Sequence, residues 1–271
     1  MRPIIQFSAI TLSTFIILYG LKSAYDGALG DSQFLDGWLL CGGILMQLAF
    51  HFRKKQPRLA IGAASTWMQA HISIGFVVVI IFLFHTAGTL PDSLFEWMLW
   101  TAFMLVASSG FIGLYLSRVI PTGLSKKCEQ VPYDAIPAAR KQLAHAADEL
   151  AMSASHLSGS QPIAEFYVET LFDFFKQPAN IAAHLKNSNR PLTRICEQLD
   201  GYNRYLDEPG QEHLNSLRAL VIRKNELDHQ FAQKRLLRAW LFVHVPATYS
   251  LIIFSILHII VIYSFSSGAP G

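Results

Sequence analysis

Apolar residues gather in five stretches along the chain, at 4–21, 37–52, 66–87, 94–117 and 239–265, and one long polar segment at 119–236 separates the last two. A helix needs about 20 mostly apolar residues to cross ~30 Å of hydrocarbon, so each stretch is predicted as a transmembrane helix. No small-x-small cleavage pattern follows the first stretch convincingly, and it reads as an uncleaved anchor. Within the polar segment, Pro132, Pro137, Gly159, Pro162, Pro178, Pro191 and the Glu208-Pro209-Gly210 turn mark off roughly four helical segments. The last of them carries Leu214, Leu217, Leu220, Val221, Leu227 and Phe231 at a helical period. Nothing breaks that pattern before the fifth stretch, which predicts one helix from about Gln211 through the membrane, roughly 80 Å long at 1.5 Å per residue. The predicted fold class is therefore all-α: five transmembrane helices with an inserted cytoplasmic helical domain, divided as 1–118, 119–236 and 237–271.

Composition agrees with this reading. The chain is 52% hydrophobic and only 15% charged, against about 25% charged in an average soluble domain. Its mean hydropathy of +0.31 excludes a disordered tail, a basic nucleic-acid-binding patch and an ordinary cytosolic enzyme, so no nucleic-acid partner is expected. Basic residues resist translocation, and they orient the spans. The 53–65 loop holds Arg53, Lys54, Lys55 and Arg58 without an acid, whereas the 23–36 loop holds Asp26, Asp31 and Asp36 without a base. Placing the basic loop inside leaves Lys22 as the one outer cation among 22 Lys and Arg. The expected location is a bacterial-type inner (plasma) membrane, N-terminus cytoplasmic and C-terminus outside. Cys41, Cys128 and Cys196 show neither CxxC nor CxxCH spacing, which indicates no disulfide framework, cysteine zinc site or covalent c-type haem.

Besides His51 at the inner end of the second span, four of the ten histidines lie inside predicted spans, where an ionisable side chain is costly and is a functional hypothesis by default. His71 and His85 share the third span, His244 and His258 the fifth, and each pair is 14 residues apart. That interval is about 3.9 turns, so both imidazoles of a pair share a face about 21 Å apart along the axis. Both spans run from inside to outside, and the imidazoles form two level pairs: His71 with His244, and His85 with His258. Facing imidazoles are what a low-spin haem iron takes as axial ligands. Zinc or copper would need ligands within a few ångströms, which partners on one helix 14 residues apart cannot supply. The intervening residues 72–84 and 245–257 are almost wholly apolar. Small residues lie at matching depths: Gly42 and Gly43 in the second span, Gly75 in the third, and Ser108, Ser109, Gly110 and Gly113 in the fourth. They read either as haem walls or as packing residues.

The arrangement HISIGFVVVIIFLFH (71–85) with HVPATYSLIIFSILH (244–258) resembles the ligand helices of di-haem b-type membrane cytochromes, as in the cytochrome b of quinol-oxidising complexes. The resemblance implies a four-helix haem bundle made of spans two to five. It implies two b-type haems, one on His71 and His244 at the cytoplasmic side and one on His85 and His258 at the outer side. It also implies membrane lipid, a quinone pool and redox proteins such as a cytochrome c or an iron–sulfur subunit as partners. A PEWY-like quinol signature and flavin or nicotinamide motifs are absent, and the soluble insertion departs from the core family, which leaves the quinone site and the electron donor open.

Other polar residues carry two readings each. Arg238 is the candidate for a haem propionate or quinone head group, against positive-inside anchoring. Pro246 denies an N–H to the carbonyl of Phe242, which either aims His244 or serves packing. His51 reads as a quinone proton donor or a head-group neighbour, and Glu96 with Asp92 as proton carriers or solvated acids. His145, His156, His184, His213 and His229 lack an HxxxH or HExxH pairing and are assigned no metal. Phe166, Tyr167, Phe172, Phe174 and Phe175 are expected to form the core of the cytoplasmic domain. The expected function is electron transfer through two haems as a subunit of a redox complex, with no catalytic residue of its own. A stand-alone quinol oxidase or metal reductase, and a non-redox scaffold or sensor, remain open.

Overall fold

The computed structural model describes residues 33–55, 63–124, 130–156 and 161–266, with scattered positions between 13 and 27. The first predicted span, the 56–62 part of the basic loop, and Cys128 lie outside the described residues or nearly so. Among the described residues there are helices and no strands. The long ones are α1 (Gln33–Lys55), α2 (Ala64–His85), α3 (Leu94–Leu124), α4 (Ile136–His156), α8 (Arg190–Tyr202) and α9 (Glu208–Ser266). Three short helices, α5 (Gln161–Phe166), α6 (Phe172–Lys176) and α7 (Ile181–Leu185), lie between α4 and α8. Three helices are long and apolar enough to cross a membrane: α2, α3 and α9, with mean hydropathies of 2.1, 1.6 and 2.2 over their most apolar windows. The described residues thus show three such helices where five were expected; α1 covers the second predicted span and extends past it at both ends.

The chain forms two compact units, one made of Met1–Leu114 with Leu241–Gly271, the other of Tyr115–Trp240. In the first, Ile44 of α1, Val78 and Phe82 of α2, Ala102 and Phe103 of α3 and Leu251 of α9 form one buried cluster. Phe82 stacks on Phe103 with centroids 3.8 Å apart. The outward faces are also apolar, Phe242, Ile253 and Ile260 among them, so sequestering them requires an apolar surrounding. Residues 33–36, expected in an outer loop, form the first turn of α1. Asp36 suits that turn because it meets the positive helix end, and Lys22 pairs with it. The turn between α2 and α3 is set by Ala87 (φ 47°) and Gly88 (φ 70°). Ser93 then caps α3: its hydroxyl accepts the Glu96 N–H (3.2 Å), while the Glu96 carboxylate accepts the Asp92 N–H (3.1 Å). Glu96 therefore serves in a capping arrangement.

In the second unit, Ala147, Ala151 and Ala154 of α4 give a face of small residues that lets Ile163, Phe166, Leu171 and Phe175 approach closely. Leu214, Leu217 and Val221 of α9 close this core, and Leu227 is buried one turn or more further on. Of the five aromatic residues expected in the core, Phe166, Tyr167, Phe174 and Phe175 are buried but Phe172 is 45% exposed. A π-helical turn at Tyr167–Leu171 inserts an extra residue and rotates α6 relative to α5. Phe172 lies instead under the Lys176 ammonium (5.3 Å). The expected turn at Glu208-Pro209-Gly210 is the first turn of α9, where proline is tolerated because its missing N–H has no helical partner. Asp207 holds that turn by accepting the Gly210 N–H on its side chain (3.1 Å). Helix α9 continues through Pro246, and Thr248 donates to the His244 carbonyl (2.8 Å).

Candidate functional site

All four span histidines are half-buried in the first unit. At the level of His85 and His258 the imidazole centroids are 6.4 Å apart and the rings are crossed at 87°. Two imidazoles bound on opposite sides of one metal ion through bonds of about 2.0–2.1 Å would place their centroids ~6.4 Å apart. An edge-to-face ring pair has a similar spacing, so the direction of the nitrogens matters more than the distance.

The proton positions are set by what each neighbour can accept. His85 Nδ1 faces the Gln33 backbone carbonyl at 3.2 Å; a carbonyl only accepts, so Nδ1 carries the hydrogen and the lone pair sits on Nε2. His244 Nδ1 lies 2.7 Å from Ser109 Oγ, which also lies 2.8 Å from the Val106 carbonyl. A metal-binding histidine is held in this way, one ring nitrogen tethered and the other presenting a lone pair. His71 lies within electrostatic reach of His244, and the Gln47 backbone of α1 faces its ring. The tertiary structure thus brings together both of the pairs that the 14-residue spacing suggested.

Beside His85 and His258 is a cavity of about 360 Å³, whose lining includes Gln33, Gly37, Cys41, Glu96, Trp100 and Tyr263. Its volume falls in the range of ligand pockets, about 300–1,000 Å³. Phe95 lies nearly parallel to the His258 ring, with centroids 6.4 Å apart. Gly37, which the span pattern did not single out, is the closest glycine: a Cβ there would sit 3.2 Å from His85 Cε1. Its signal was its position four and seven residues before Cys41 and Ile44, which line the same cavity.

The glycines chosen from depth alone have different surroundings. A Cβ at Gly43 would fall 2.5 Å from Val78 Cγ2, so Gly43 permits the close approach of α1 and α2. A Cβ at Gly75 would meet the Gln47 side-chain nitrogen at 3.1 Å, and one at Gly42 or Gly110 would meet nothing within 4 Å. Gly42 is exposed and Gly113 is buried. Arg238 donates to Asp134 (3.0 Å) and lies over the Tyr133 ring (3.8 Å), so its guanidinium is engaged inside the second unit. The side chains of His51, Arg53, Lys54, Lys55 and Arg58 lie outside the described residues.

Among the described residues no three His, Cys, Asp or Glu side chains cluster as a closed protein metal site would require. A haem iron asks less of the protein, because the porphyrin supplies the remaining ligands and two axial imidazoles suffice. The residues at the His85 level fit that demand in spacing and adjoining space. Compared with protein-family models, with curated proteins and with solved structures, the chain finds no match in any of the three.

Proposed function

We propose that this chain is a membrane electron-transfer subunit whose histidines hold two b-type haems, His71 with His244 and His85 with His258. The observation that carries the proposal is the His85–His258 pair: centroids 6.4 Å apart, beside a cavity of about 360 Å³, with the His85 Nδ1–H tethered to a carbonyl so that Nε2 presents its lone pair. Haem bound there supplies a one-electron carrier. The protein's own part is to orient the imidazoles through Gln33 and Ser109 and to keep water away with the apolar residues between the histidines of each helix. In this reading the chain spans a plasma-type membrane five times with its N-terminus inside. It exchanges electrons with a quinone pool and with redox protein partners, such as a cytochrome c or an iron–sulfur subunit, and bond-making chemistry resides in those partners.

The test is a reduced-minus-oxidised spectrum with haem stoichiometry on the full-length protein, repeated on His71→Ala and His85→Ala. Two b-type haems per chain, with each substitution removing one, are expected. A purified sample without a Soret band would overturn the proposal and leave a scaffold or sensor; reduction of an added acceptor by the pure chain alone would turn the subunit into a reductase.

A further inference from the structure

Four side chains of the second unit meet between α7 and α9: His184 of α7, Asn187 in the turn after it, and His229 and Gln233, one turn apart on α9. His229 Nε2 lies 3.2 Å from Asn187 Oδ1 and 2.9 Å from the Gln233 amide nitrogen, which is itself 3.3 Å from Asn187 Oδ1. Hydrogen bonds cannot satisfy this triangle. Each corner is either a donor or an acceptor, whichever tautomer His229 adopts and whichever way the amides are turned. Two of the three corners are therefore alike, and one edge is always unfavourable. Two further atoms of the cluster, His184 Nε2 and Gln233 Oε1, are buried and find no hydrogen-bond partner among the described residues; their side chains belong to residues only 4% and 3% exposed.

A cation removes the conflict by taking a lone pair from every corner at once, and the spacing selects its kind. Corners 2.9–3.3 Å apart subtend about 100° at a metal ion with bonds of about 2.0–2.1 Å, between the octahedral and tetrahedral angles. At a water or anion oxygen about 2.9 Å away they would subtend only about 65°, too narrow for three separate hydrogen bonds. The ring centroids of His184 and His229 are 5.7 Å apart, against ~5.2 Å for two imidazoles at the tetrahedral angle on one ion. Imidazole donors suit zinc and its neighbours rather than magnesium or calcium.

We propose that His184, Asn187, His229 and Gln233 form a binding site for a divalent transition-metal ion of the zinc class, held by two imidazole nitrogens and two amide oxygens, which clips α7 to α9. The Gln233 amide turns about its last side-chain bond to present its oxygen. Asn187 is exposed and gives the ion its entry from solvent. The donors are neutral, and Lys224, paired with Asp228, lies within electrostatic reach of His184, so the affinity is modest. The signal in the sequence is one amide a turn away from each imidazole, three residues after His184 and four after His229, which a search for paired histidines passes over. The site is independent of the proposed haems.

The experiment titrates the untagged full-length protein, stripped with a chelator, with Zn2+ and with Co2+. Bound zinc is counted by elemental analysis after gel filtration, and the visible cobalt bands are recorded. Wild type is expected to take up one zinc per chain, to melt at a higher temperature with it, and to show cobalt bands. Because His184 and Gln233 are core positions, the substitutions fall on the two outer ligands: His229→Ala, and Asn187→Gly, in which glycine accepts the φ of 53° without a side chain. Each is expected to weaken zinc binding by more than about tenfold, while His145→Ala, outside the cluster, leaves it unchanged. Should His229→Ala lose its fold, Asn187→Gly decides. A wild type that binds no zinc, zinc binding that survives Asn187→Gly or a folded His229→Ala, or zinc lost with His145→Ala would each overturn the proposal. A zinc-binding wild type without haem overturns the proposed function instead.

Discussion

Both units bury polar side chains, but they treat them in opposite ways. In the first unit His85 and His244 are neutral rings held through Nδ1, His85 by the Gln33 carbonyl and His244 by the Ser109 hydroxyl. In the second, Lys224 and Asp228, both fully enclosed, consume each other. Lys224 pairs with Asp228 and donates to the Gln177 carbonyl (2.9 Å), Asp228 accepts the Ala179 N–H (2.9 Å), and the Arg140 guanidinium reaches Asp228 at 3.4 Å. That cluster ties α4 and the segment before α7 to α9. Burial of polar atoms is therefore a poor guide to function by itself; what separates the two clusters is that one is built of imidazoles beside a cavity and the other of opposite charges that link helices.

The contrast can be broken most severely at Asp228. Asp228→Ala strands the Lys224 ammonium in a dry site and is expected to destabilise the second unit by about 3–5 kcal/mol, whereas replacing Lys224 and Asp228 together by apolar residues of similar volume removes that buried charge and is expected to cost less, Arg140 and the Ala179 N–H still losing their partner. Denaturant melts of the two variants decide this; equal losses in both would show that the pair is no self-contained unit.

A smaller effect is expected in the bundle. Gly43→Ala places a methyl 2.5 Å from Val78 Cγ2, and overpacking of this kind costs about 1–3 kcal/mol. Gly42→Ala, with open space around it, serves as the neutral control in a thermal melt in detergent.

The smallest effect is pH-linked and lies in the second unit. His184 of α7 and His229 of α9 face each other with centroids 5.7 Å apart. Burial pushes both below the usual histidine range, and for His184 the neighbouring His229 adds to the shift. Both rings are thus neutral in the fold and bind protons more readily when unfolded. Their contribution to stability is complete above about pH 6.5 and is lost as pH falls through the lowered values. Melts at about pH 7.5 and about pH 5.5 should show the loss, and His184→Leu should flatten it; an unchanged slope in that variant would assign the pH dependence elsewhere.

Much of the architecture was legible because it obeys local periodicity. The apolar spacing from Leu214 to Leu227 marks the buried face of α9, and the absence of a breaker foretold its continuity. The misplacement of Phe172 has a definite cause: the π-helical turn before it shifts the register by one residue, and a strict 3.6-residue period does not anticipate that. Lys224 and Asp228 were invisible for a different reason. At i and i+4 they look like a surface ion pair, and only the packing of α4 and the Gln177–Ala179 backbone over them makes them internal. Ser109 was legible as a small residue at a useful depth, but its hydrogen bond with His244 was not.

Sequence alone determined the axial facts: which stretches are apolar, where helices run, and that two helices carry imidazoles about 21 Å apart on one face, because rise and pitch are properties of each helix by itself. Tertiary structure decided everything that depends on rotation about those axes and on partners distant in the chain. That includes which imidazole faces which, which nitrogen keeps its lone pair, and whether a glycine meets a ring, a methyl group or open space. Such contacts are set by how helices from separate parts of the chain interlock, and no local pattern encodes them.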